Sequence, residues 1–177
     1  MTFPPVIPDP LHPALVHFPI VLILLGTGLS ILAVFWRKGY VPAFAAALMV
    51  LGALGAWAAV ASGKSDGGLV ENTSAGVGAL LDAHETWAER TLTAAAIAAV
   101  IAVGSVTMLR RFPRAARGAA VAAALAAMVA AWTVYETGHR GGALVYQHGA
   151  GVNTARAAME IPTTAHSGEN PKGPDRD

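Results

Sequence analysis

The chain contains no cysteine. Disulfides, thiolate metal sites, iron–sulfur clusters and cysteine nucleophiles are therefore excluded, and any metal or haem ligand has to come from His, Met or a carboxylate. Charge is scarce as well: Asp, Glu, Lys and Arg make up 13% of the 177 residues, against about 25% in an average soluble domain. With 54% hydrophobic residues, a membrane protein is the class to test first. A third absence is local. The stretches "RKGYV" and "RRFPRAARG" hold Arg37, Lys38, Arg110, Arg111, Arg114 and Arg117 without one acidic residue, which is half of the twelve Lys and Arg.

Four apolar segments approach or exceed the roughly 20 residues needed to cross about 30 Å of hydrocarbon at about 1.5 Å per residue. They run from about His17 to Trp36, Pro42 to Ser62, Trp87 to Leu109 and Gly118 to Gly138. The two basic stretches connect the first to the second and the third to the fourth, so by the positive-inside rule both turns face the cytoplasm. Asp9, Asp66, Glu71, Asp82, Glu85, Glu89, Glu136 and the acidic residues of the tail all fall on the other side. Both termini are then outside. No Lys or Arg precedes the first run, unlike the basic start of a cleavable signal peptide, so that run is expected to be a retained span. Trp36, Tyr40 and Phe112 fit the inner border and Trp87, Trp132 and Tyr135 the outer one.

The fold class these signals define is an all-α membrane protein, a four-transmembrane-helix antiparallel bundle placed N-out and C-out. Small residues let its helices approach closely: Gly26 and Gly28 in the first span, "GALG" from Gly52 to Gly55 in the second, "AAVAAALAAMVAA" in the fourth. Residues 1–152 form the transmembrane domain with its outer loops, and 153–177 a flexible polar tail. No internal repeat is visible.

Setting aside His166 in the tail, five histidines fall at one level on the outer side: His12, His17, His84, His139 and His148. Imidazoles from separate helices at one depth can converge on a single centre. In a haem site two imidazoles approach the iron from opposite faces, and an up-down bundle sets helices one and three on a diagonal, so His17 and His84 are expected to face each other. Of the two histidines at the start of the chain, His17 is the better ligand candidate, with His12 capping or orienting the helix start. Arg90, Arg140 or Lys64 would pair with haem propionates. The rival is a Cu or Zn site made of three or four of the histidines, with Asp66, Glu85 or Glu89 in support.

Other motifs are incomplete. "HETWAE" has Ala88 where a zinc-protease helix needs its second His. "GGALVYQHGAGV" lacks the lysine and the strand of a phosphate loop, and reads instead as a reentrant or surface segment that delivers His148 to the bundle mouth. Glu136 sits a turn inside the outer end of the fourth helix, where an ionisable residue is a functional candidate by default. No nucleophile, base and orienter set is present, and the basic residues flank membrane spans rather than a nucleic-acid surface.

"HPALVHFPI", "WAAVASGKSD", "DAHETWAE" and "TGHRGGALVYQHGAGV" resemble the pattern of a family of bacterial four-helix membrane proteins defined by a domain of unknown function, DUF family 2231. The resemblance spans residues 11 to 152. It implies the same bundle, and because members of that family stand joined to cytochrome c-like modules or near respiratory genes, it implies redox work. Its motif histidines are His12, His17, His84, His139 and His148 here. No CxxCH haem-attachment motif follows, so an electron partner would be a separate periplasmic cytochrome or respiratory complex. The leading expectation is a membrane protein binding haem b or a redox metal. The alternatives are a cofactor-free scaffold or accessory subunit and a Cu- or Zn-binding membrane protein, any of them in an oligomer.

Overall fold

The structure, a computed structural model, describes residues 11–36, 40–67 and 77–149. The tail, Arg37, Lys38, Glu71 and His166 lie outside the described residues, as does the side chain of Asp66. The elements are α1 His12–Leu15, α2 His17–Phe35, α3 Val41–Gly67, α4 Val77–Met108 and α5 Pro113–His148. Four helical stretches are long and apolar enough to cross a membrane. Proline explains the start: Pro13 occupies the first turn of α1, where no N–H is needed. Pro19 cannot donate to the Leu15 carbonyl, and the ladder is interrupted between α1 and α2.

The helices pack in the cyclic order α2, α3, α4, α5, leaving α2 opposite α4 and α3 opposite α5. Each turns its small residues inward. In α2 the buried stripe is Pro19, Ile23, Gly26, Thr27, Ser30 and Ala33. Phe18, Val21, Leu24, Leu25, Ile31 and Phe35 are exposed. In water such a surface would aggregate; in a bilayer it faces lipid tails as apolar as itself, and close packing of small residues holds the bundle. In α4 and α5 the inward stripe is mostly alanine, from Ala95 to Ala102 and from Ala116 to Ala130. One inter-helix hydrogen bond crosses this core: the Thr27 hydroxyl stands 3.0 Å from the Ala127 carbonyl of α5 and 2.8 Å from that of Ile23 in its own helix.

Glycine sets the α2–α3 spacing. A Cβ on Gly52 would lie 2.8 Å from Ile23 Cγ1, one on Gly26 2.8 Å from Met49 Sδ, and one on Gly55 3.3 Å from Pro19 Cδ. Three large side chains thus seat on three glycines of the facing helix. Gly28 does not share in this, contrary to the sequence reading, because it lies on the lipid side with nothing within 4 Å of the position of a Cβ.

Two helices run further than hydropathy indicates. α4 has 32 residues and α5 has 36, or about 48 and 54 Å, well beyond the roughly 30 Å of hydrocarbon. Their facing ends meet at the turn between Met108 and Pro113, so the excess lies at the far end, hereafter the histidine end. The expected reentrant segment after Gly138 is not formed. α5 continues through Gly141 and Gly142 to His148, where Gly149, at φ 64, closes it with its N–H directed at the Leu144 and Val145 carbonyls.

Candidate functional site

The inward stripes of α2 and α4 carry on past the apolar core to the histidine end, and there they bring two of the five histidines together. His12 and His84 stand with ring centres 6.4 Å apart and planes at 86°. The diagonal expected for helices one and three is therefore occupied, but by His12 in place of His17. The cause is helical phase: stepping back from the buried Pro19 by three or four residues reaches Val16 and His12, whereas His17 falls among the exposed, lipid-side residues.

The two imidazoles are held alike. His12 Nδ1 lies 2.9 Å from the Ala59 carbonyl and 3.2 Å from Ser62 Oγ, both on α3. His84 Nδ1 lies 3.1 Å from the Thr137 carbonyl on α5. A carbonyl only accepts, so each Nδ1 carries the hydrogen and donates it, which leaves Nε2 as the position through which either ring would ligate. Four residues beyond each accepting carbonyl comes a glycine that makes room for the ring. A Cβ on Gly63 would sit 3.0 Å from His12 Cε1, and one on Gly141 3.1 Å from His84 Cε1. Hairpin α1–α2–α3 thus repeats at this end in hairpin α4–α5: a histidine at the start, a carbonyl and then a glycine near the close of the partner helix. No repeat is visible in the sequence because these equivalent positions share geometry, not neighbours.

A polar collar surrounds the pair. Thr91 Oγ1 on α4 and Thr137 Oγ1 on α5 stand 3.0 Å apart, and each also reaches a carbonyl of its own helix, Trp87 and Thr133 respectively. The Trp87 indole carries two guanidiniums, Arg90 at 4.7 Å and Arg140 at 4.6 Å from its ring. Arg140 is pinned from behind by the Glu136 carboxylate, one turn earlier on α5. Glu136 is thus ion-paired and half-buried. Lys64 on α3 and Glu89 on α4 pair at 2.7 Å on the surface, which contributes little by itself but links the two hairpins. Arg140→Ala removes a stacking contact and an ion pair together. It is expected to lower stability in detergent by about 1 kcal/mol, measured by thermal unfolding; Arg90→Ala, with the stacking alone to lose, is expected to cost less.

The remaining candidates stand apart. His17 is exposed on the lipid side of α2; His139 is exposed and stacks on Tyr135 with centres 6.2 Å apart. His148 is exposed in the last turn of α5. Among the described residues no group of three or more His, Asp or Glu is placed to hold a metal ion. Of the five histidines, His12 and His84 are brought together and His17, His139 and His148 are not. Ser62 and Gly63 lie in "WAAVASGKSD" and Thr137 and Gly141 in "TGHRGGALVYQHGAGV", but the histidines of the chain drew attention from them; Thr91 lies outside these stretches, and all five are on inward faces that the 3.6-residue period marks.

Four apolar spanning helices, small-residue interfaces and one polar, histidine-bearing end define an integral membrane four-helix bundle. The chain belongs to the family described as predicted membrane protein (DUF2231), whose family model matches residues 8–154. No curated protein and no solved structure matches the chain.

Proposed function

We propose that the protein is a bacterial inner-membrane subunit that holds one redox-active group between His12 and His84 and passes electrons between a membrane donor and a separate acceptor outside. Haem b is the first choice and copper the second. The observation that carries this reading is the matched pair of imidazoles. Each comes from a different diagonal element and each has its Nδ1–H engaged by a backbone carbonyl, the second contact that orients a histidine for ligation through Nε2. The ring centres, 6.4 Å apart, are near enough for both histidines to hold one group between them.

The number of ligands favours haem over a bare Zn²⁺ ion. Zinc takes three or four protein ligands, whereas haem supplies four nitrogens itself and asks the protein for two. When bound, haem would supply one-electron chemistry; Arg90 and Arg140 are the residues for its propionates. An outward-facing histidine end is supported by the four arginines at the opposite end, Arg110, Arg111, Arg114 and Arg117, under the positive-inside rule.

Purification in detergent followed by reduced-minus-oxidised spectra is expected to show a Soret and an α band with stoichiometric iron. No band, with sub-stoichiometric iron, ends the haem reading, and copper found in its place by elemental analysis selects the second choice. A cofactor-free scaffold is favoured by one fact, that each imidazole already ties two helical elements together. Retention of a partner complex after His12 and His84 are both replaced would support that account.

A further inference from the structure

At the end opposite the histidines, α3 and α4 leave an apolar groove between them of about 460 Å³. Its α3 wall is Ala43 and Ala47 rising to Val50 and Leu51, and its α4 wall includes Val103 and Thr107. The groove exists because alanines on α3 stand opposite valines on α4 and fail to fill the space that the helix spacing sets. From residue 43 to residue 51 it extends about 12 Å along the helix. It ends at Thr107, and one turn further on stand the exposed side chains of Arg110 and Arg111.

We propose that this groove seats one acyl chain of an anionic phospholipid whose phosphate lies against Arg110 and Arg111. Apolar lining suits a hydrocarbon tail, and a basic pair at the open end suits a negative headgroup, the attraction being strongest for the anionic lipids of the cytoplasmic leaflet. A second copy of the chain fits less well. Copies inserted with one orientation bring Arg110, Arg111, Arg114 and Arg117 to the same depth, and a neighbour in the groove would set two such clusters side by side. An anionic lipid neutralises the cluster instead.

The test is native mass spectrometry of the detergent-purified protein with dioleoylphosphatidylglycerol and dioleoylphosphatidylcholine supplied equally. The expected result is one retained lipid per chain, with at least a tenfold preference for phosphatidylglycerol. Ala47→Phe, which fills the groove from its exposed side, is expected to remove the retained lipid while helicity by circular dichroism stays unchanged. Arg110→Gln with Arg111→Gln is expected to bring the preference down to near parity. Retention unaffected by Ala47→Phe would overturn the proposal, as would equal retention of the two lipids by the unaltered protein. A wild-type dimer that Ala47→Phe dissociates would show that a second copy occupies the groove.

Discussion

Gly52→Leu is expected to lower the stability of the bundle by about 3 kcal/mol or more, the upper range for forcing extra methylenes into a packed interface. A bare Cβ at this position already meets Ile23 Cγ1 at 2.8 Å and the Ile23 backbone nitrogen at 3.3 Å. A side chain can turn away, but a backbone nitrogen moves only if α2 moves. Ile23 is fully buried at the centre of the core cluster with Met49, Ala95 and Ala127, so displacing it disturbs α4 and α5 as well. Water does not drive helices together inside a bilayer, and the close approach lost here has no hydrophobic substitute. Thermal unfolding in detergent, followed by circular dichroism, measures the loss. Gly28→Leu is the matched control, because it lies in an equally apolar span yet meets nothing within 4 Å. It is expected to stay within about 0.5 kcal/mol of the parent, as surface substitutions do. Equal losses in the two variants would mean that these contacts do not set the helix spacing.

The contrast between Gly28 and Gly52 also marks the limit of reading the chain by composition. Hydropathy over 20-residue windows locates the four spans, because the cost of exposing polar groups to hydrocarbon acts on every residue of a span and the signal adds up. Facing is a finer property. It depends on the phase of each residue about its helix, and in a chain so rich in alanine the contrast between inward and outward sides is small. Where large side chains stand, the phase is readable: Phe18, Val21, Leu24 and Leu25 mark the lipid side of α2, and His17 belongs with them. Position along the span made His17 look nearer the core; phase about the helix puts His12 there.

The helix ends were obscured for a different reason. Val77–Thr86 and His139–His148 are polar enough to read as loops, yet outside the hydrocarbon a helix needs no apolar surface all round. One inward stripe suffices, supplied by Val77, His84 and Thr91 on α4 and by Thr137, Gly141 and Leu144 on α5. Of the two glycines that suggest a break in α5, Gly141 sits where a Cβ would crowd the His84 ring, while Gly142 meets nothing within 4 Å. His84 itself lies 24 residues from the end of α4 at Met108, about 36 Å along the axis. That distance puts the ring just past the hydrocarbon, where the Trp87 indole and its two guanidiniums mark the border. Polar contacts that would be costly deeper in the bilayer can gather here.

His84→Asn is expected to abolish the spectrum of the bound group while leaving the bundle nearly as stable as the parent, and His12→Asn is expected to do the same. The reasoning turns on which half of the imidazole does what. Nδ1–H ties α4 to α5 through the Thr137 carbonyl and α1 to α3 through the Ala59 carbonyl. An asparagine amide can donate from nearly the same place, so Asn preserves the tie, while nothing in it replaces the lone pair on Nε2. Alanine removes both functions and adds the loss of one hydrogen bond, about 1 kcal/mol. If the histidines serve only to fasten helices, Asn rescues whatever Ala destroys. If they ligate a metal group, Asn and Ala are equally inactive in reduced-minus-oxidised spectra and differ only in thermal stability. His17→Ala, His139→Ala and His148→Ala, on exposed positions away from the pair, are expected to keep the spectrum; its loss in any of these three would move the ligand set away from His12 and His84.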